Sequence, residues 1–125
     1  MRNAFISGLV KLAETNNDIF LLTGDLGFGV LDEFIEKFPN RYINTGIAEQ
    51  NMASVAAGLA MNGKIVFIYS IANFPTMRCL EQIRNDIAYH NANVKIVTVG
   101  GGFAYGPAGI THHGTEAVSY THLTL

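Results

Sequence analysis

The stretch KIVFIY, Lys64 to Tyr69, places five apolar residues in a row behind a single lysine. A strand with one wet face alternates polar and apolar residues. An unbroken apolar run is covered on both faces, as in a parallel sheet between two helix layers. Working outward, DIFLLTGD supplies a second such strand, Ile19 to Thr23, closed by Gly24, and VKIVTVG (94–100) a third. RYIN (41–44) reads as a brief fourth. Helical patterns separate them. Arg2 to Glu14 carries a stripe of Phe5, Ile6, Leu9, Leu12 and Ala13. LDEFIEKF spaces Leu31, Phe34, Ile35 and Phe38 at i, i+3, i+4 and i+7, with Pro39 as the stop. Ala48 to Met61 ends at Asn62-Gly63 as a C-cap. Thr76 to His90 would turn Leu80, Ile83, Ile87 and Ala88 inward. The alternation predicts an α/β fold: a three-layer sandwich with a mostly parallel central sheet.

The chain of 125 residues fits one domain, and 49% hydrophobic content excludes a disordered segment. Only 14% of residues are charged, against about 25% in an ordinary soluble domain, so a partner is expected to cover much of the surface. A net charge of −2 without any Lys/Arg cluster argues against nucleic acid and anionic membranes. The lone Cys79 excludes an internal disulfide framework and suits a reducing, cytoplasmic setting. Lys11 and Glu14 interrupt the apolar pattern of the N-terminus, which therefore reads as an amphipathic helix and not a signal peptide.

Ligands collect at the carboxyl ends of parallel strands. Here those ends run into TGDLGFG (23–29), NTG (44–46) and GGGFAYGPAG (100–109). GDLGFG lacks the dinucleotide G-x-G-x-x-G spacing. Asp25 in that turn either bonds its own backbone or faces a ligand. Glu49, at the root of an alanine-rich helix, could serve the helix macrodipole with Thr45 as N-cap. A capping box needs the acid at position 48, which is alanine. Ala48, Ala53, Ala56, Ala57, Gly58 and Ala60 make the helix thin enough for close packing, so the carboxylate is expected to be desolvated. In YSIANFPTMRCLEQIRND (69–86) the aromatic candidates are Phe74 and Tyr69, the latter equally suited to the core. GPAGITHHGTE (106–116) pairs two histidines, but no Cys, His or carboxylate stands at ligand spacing, so no metal site is expected.

INTGIAEQNMASVAAGLA (43–60) closely resembles the thiamine-diphosphate site of the transketolase-like enzymes, in their pyrimidine-binding domain. TGDLG, YSIANF and GITHHGTE fall in that domain's order, so the resemblance covers about residues 1–117. It implies that Glu49 hydrogen-bonds the aminopyrimidine N1′, favouring the imino tautomer that activates the thiazolium carbon. It further implies that Phe74, with Tyr69 as the alternative, stacks on that ring and that Asp25 lies near the cofactor. His112 matches a histidine that contacts substrate and shuttles protons. His113 has less support, and His90 and His122 have none.

The departures bear on substrate. The family's aspartate before G-P-T-H is Ala108 here, its proline is Ile110, and Gly100-Gly101-Gly102 stands where a phosphate-binding histidine is common. This glycine-rich form resembles the separately encoded C-terminal subunits of split transketolases. The family's G-D-G motif for Mg²⁺ and diphosphate is missing. A diphosphate-binding subunit is therefore the expected partner, in an α₂β₂ assembly or a homodimer of pairs, with Mg²⁺ on the partner's domain. The implied reaction is transfer of a two-carbon ketol unit between sugars. The alternatives are a 1-deoxyxylulose-5-phosphate synthase-type subunit, a 2-oxo-acid dehydrogenase β-type subunit, or a non-catalytic α/β binding module. The end, VSYTHLTL (118–125), differs in composition from what precedes it and reads as a non-native tail on an incomplete domain of residues 1–117.

Overall fold

The computed structural model describes residues 2–115; the tail reading and His122 lie outside them. In chain order the main elements are α1 (Arg2–Thr15), β1 (Ile19–Thr23), α2 (Asp32–Lys37), β2 (Tyr42–Asn44), α3 (Glu49–Met61), β3 (Ile65–Ile71) and β4 (Val94–Val99). Among the described residues the four strands form one sheet, order β2-β1-β3-β4, every pair parallel. The α/β sandwich expected from the apolar runs is the observed fold. None of the helices in this region is long and apolar enough to cross a membrane.

The two faces of the sheet bury different sets. On one face, Ile6, Leu9, Val10 and Ala13 of α1 pack with Leu21, Leu31, Phe34 and Tyr69. On the other, Met52 and Ala56 of α3 meet Leu22, Val66 and Ile68. Successive β3 residues thus point to opposite layers, as the strand period requires. The stripe of α1 differs slightly from expectation. Val10 is buried and Leu12 is 55% exposed, because positions 6, 9, 10 and 13 follow the i, i+3, i+4, i+7 rule and 12 falls off it.

The segment expected as one helix over 76–90 is three pieces. A 3₁₀ turn (Met77–Cys79) passes through a single α turn (Leu80–Gln82) into a π-helical stretch (Ile83–Ala88). The Tyr89 and Ala92 amides donate to the Arg84 and Ile87 carbonyls, each five residues back. A wider turn breaks the 3.6-residue phase, so of the four residues expected inward only Ile87 is buried, while Leu80 and Ala88 face out. Cys79 and Ile87 pack against Ala53 and Ala57 of α3. The small side chains of α3 let this irregular segment lie close.

The loop from β1 into α2 turns on Gly27. Its φ is +92° and a Cβ there would lie 2.5 Å from Leu31 Cδ1. The Val30 and Leu31 amides both donate to the Gly27 carbonyl, at 3.0 and 3.1 Å. Gly27→Ala therefore combines backbone strain with overpacking of a buried leucine, and is expected to lower unfolding free energy by about 2 kcal/mol or more in a denaturant titration. Cys79 provides a second test. Burial, then the nearby Glu49 charge, pushes its thiol from 9.0 up to about 11, with Arg78 opposing. The folded state thus holds the proton more tightly than the unfolded chain. Its contribution to stability is complete below pH 9 and is lost as pH rises through 11. A disulfide exchange reagent at pH 8 should label Cys79 far more slowly in the native chain than in urea.

Candidate functional site

The strand order sets the location. From β1 the chain steps to β2 on one side, and the β3–β4 pair lies on the other, so the order reverses between β1 and β3. In open parallel sheets the crevice outside the carboxyl ends at such a reversal is the usual ligand position. Gly24 ends β1 there, and α3 begins there with Glu49 as its first residue.

Glu49 is 2% exposed. Its Oε1 faces Gly24, where an added Cβ would come within 3.2 Å, so glycine leaves the space the carboxylate fills. Its Oε2 accepts a hydrogen bond from Arg78 Nη1 at 2.8 Å. The backbone enters α3 through Ala48, which makes no side-chain cap. Thr45, weighed as the cap, donates its hydroxyl to the Thr23 carbonyl at 3.0 Å instead and ties the β2 end to the β1 end. Glu49 therefore sits in the first turn, where the helix dipole favours an anion.

Arg78 links the other candidates. Its guanidinium carbon lies 4.2 Å from the centroid of the Phe74 ring. The His112 ring meets the same phenyl edge-on at 5.1 Å. Gln50 Nε2 donates to the Arg78 carbonyl at 3.0 Å, and Cys79 Sγ to the Phe74 carbonyl at 3.2 Å, so the 74–79 turn is held to the start of α3. His112 arrives on the loop after β4, which is drawn in by paired Gly102–Gly114 backbone bonds of 3.1 and 2.8 Å. A Cβ on Gly114 would strike that of Ala72 at 2.6 Å, so the loop closes onto the end of β3 only because 114 is glycine. His112 Nδ1 shares a hydrogen bond with Thr111 Oγ1 at 2.9 Å.

The remaining candidates lie elsewhere. Tyr69 stacks on Phe5 of α1 at 6.0 Å, in the core on the sheet face away from α3, and burial pushes its phenol up. Of the two aromatic candidates it is Phe74 that stands beside the Glu49–Arg78 pair, since β3 runs on to Ile71 and Tyr69 falls in the α1 phase. Asp25 is exposed, in the left-handed region at φ 57°. It accepts a bond from Asn44 Nδ2 at 2.9 Å and returns its amide to Asn44 Oδ1 at 3.0 Å, which clasps the ends of β1 and β2. His113 packs on Phe103 at 4.9 Å, and His90 bonds the Asn85 carbonyl at the far end of the 77–88 segment. Sequence reasoning missed Arg78 and Asn44. Arg78 carried a usable signal, being four residues after Phe74 and the first basic residue after Lys64.

The profile of the family described as transketolase, pyrimidine binding domain, matches residues 1–124. A subunit of the apulose-4-phosphate transketolase of Phocaeicola vulgatus is 41% identical over 119 residues, 94% of this chain and 38% of that protein. A putative transketolase C-terminal section from Methanocaldococcus jannaschii is 40% identical over 120 residues, 95% of this chain and 38% of its own. A solved structure described as a split gene transketolase, inactive β4 tetramer, superposes with a TM-score of 0.81 at 38% identity, over 98% of this chain and 39% of that one. The chain thus spans under two-fifths of the length of these relatives. The family match over nearly the whole chain, with these relatives, shows that the chain belongs to the transketolase pyrimidine-binding domain family.

Proposed function

We propose that this chain supplies the pyrimidine half of a thiamine-diphosphate site in a transferase that moves a two-carbon ketol unit between sugars. The observation that carries the reading is the buried Glu49 carboxylate at the β1–β3 crevice, with the Phe74 ring beside it. When bound, the cofactor supplies a nucleophilic thiazolium carbon and the electron sink for carbon–carbon cleavage. The residues present fit its aminopyrimidine end. Gly24 clears space at Glu49, Phe74 offers an aromatic face, and Ser70 Oγ and Asn73 Oδ1 at the end of β3 are buried without a hydrogen-bond partner among the described residues.

In this reading Glu49 shares a proton with the ring nitrogen N1′, a task that needs a carboxylate shielded from water. Phe74 fixes the plane of the ring by stacking. His112, on the side of the crevice formed by the loop after β4, exchanges a proton with a substrate hydroxyl. In this reading the diphosphate and Mg²⁺ belong to a second subunit, in an α₂β₂ assembly or a homodimer of pairs with a cytoplasmic setting. Apolar side chains support such a partner: Phe28, Ile47, Phe103 and Ile110 are 79, 78, 69 and 77% exposed. All four come from loops after β1, β2 or β4, on the rim that holds Glu49.

The test is hydrogen–deuterium exchange at the thiazolium carbon of cofactor bound to the complex of this chain with its diphosphate-binding subunit. Glu49→Gln should retain binding but slow exchange by roughly 10²-fold or more, the scale of a lost proton-transfer partner. Exchange at the native rate in that variant would remove Glu49 from the chemistry. His112→Asn should leave that exchange untouched while lowering kcat/KM for ketol transfer by at least roughly 10²-fold. A parallel loss of exchange would move His112 from substrate to cofactor.

A further inference from the structure

The side chain that touches Glu49 is itself shaped like what Glu49 is proposed to bind. The Arg78 guanidinium is planar, carries N–H donors in its plane, lies 4.2 Å over the Phe74 ring and donates to Glu49 Oε2 at 2.8 Å. An aminopyrimidine stacked on Phe74 and sharing one proton with Glu49 through its ring nitrogen would make the same two contacts. Arg78 holds Oε2 and lies over the Phe74 ring, whereas Oε1 faces Gly24 without a hydrogen bond among the described residues. A ring stacked on that phenyl face with its nitrogen on Oε2 takes the place the guanidinium fills, so the guanidinium must withdraw for it to enter.

Resting on the pyrimidine-site reading above, we infer that Arg78 is a displaceable placeholder: it fills the aminopyrimidine position in the free chain and swings out when the ring enters. Its setting permits this. The side chain is 44% exposed while Glu49 is 2% exposed, so the arginine has a route to solvent and the carboxylate has none. Its backbone stays fixed, because the Arg78 carbonyl accepts from Gln50 Nε2 and the Cys79 thiol beneath it bonds the Phe74 carbonyl. Only the side chain needs to move, a rotamer change on a fast timescale. The arrangement also removes a hazard of the empty site. A carboxylate buried without a partner is costly, and Arg78 supplies the partner until the cofactor does.

The placeholder competes with the cofactor, and the competition is measurable as affinity. Thiamine diphosphate with Mg²⁺ is titrated calorimetrically into the complex of the full chain and its diphosphate-binding subunit. The variants are Arg78→Ala, Arg78→Met, Glu49→Gln and Phe74→Leu, each checked for native circular dichroism; Arg78→Met keeps the apolar stem over Phe74. Removing the guanidinium takes a charge-assisted hydrogen bond and a cation–π contact from the free state alone, so both Arg78 variants should bind the cofactor roughly tenfold tighter. An unchanged or weaker Kd in both overturns the inference and makes Arg78 a residue that stays beside the bound ring. The other two variants report on the underlying site. Weaker binding in Phe74→Leu supports the stacking face, whereas native affinity in Phe74→Leu together with native-rate thiazolium exchange in Glu49→Gln would sink the pyrimidine site and the placeholder with it.

Discussion

A carboxylate held almost out of water by one arginine is the constraint around which this end of the molecule is arranged. Removing a charge from water costs several kcal/mol unless hydrogen bonds restore what the solvent gave. Glu49 meets that cost with the N-terminal turn of α3 and with Arg78 at 2.8 Å. Gly24 carries no side chain because the carboxylate stands in its place. The chain between Ala72 and Leu80 departs from regular structure so that Phe74 and Arg78, four residues apart, both reach the same spot. Pro75, buried at the turn, and the 3₁₀ geometry of Met77–Cys79 are local consequences of that requirement.

The sheet makes the position available. Parallel pairing puts every carboxyl end on one rim, and the order β2-β1-β3-β4 opens a gap between the connections at β1 and β3. α3 starts at that rim on its way from β2 to β3, and its first residue, Glu49, faces Gly24 at the end of β1. Its alanines then do a second task. Ala53 and Ala57 allow Cys79 and Ile87 to lie close against the helix, which brings the Arg78 carbonyl within reach of Gln50.

Much of this was legible in the sequence, for a physical reason. Strands covered on both faces leave unbroken apolar runs, and Ile19–Thr23 is observed with the bounds read from DIFLLTGD. The proposed acid was legible because a glutamate before a run of small residues is hard to explain by capping alone. The 77–88 segment was not, since π turns keep apolar residues that look α-periodic but do not share a face. Tyr69 lies with α1 because alternate residues of β3 face opposite layers, and the strand runs two residues past the Tyr69 at which KIVFIY ends. Asp25 and Asn44, nineteen residues apart, meet only through the β1–β2 pairing, and no local pattern announces it.

The placeholder and the apolar rim act on each other. In the chain by itself, water reaches nearly half of Arg78, and the ion pair is tolerable because the cation keeps part of its hydration. In the proposed assembly a subunit seated on Phe28, Ile47, Phe103 and Ile110 would cover the carboxyl rim and reduce that hydration. The guanidinium would then be a more deeply buried cation whose attraction to Glu49 no longer compensates its lost hydration in full. An aromatic ring that shares one proton with the carboxylate brings no second full charge into the crevice, so it is the less costly occupant once the rim is closed. In that assembly closure by the partner and entry of the ring would therefore favour one another, and the energetic link between them would be the dehydration of a single arginine.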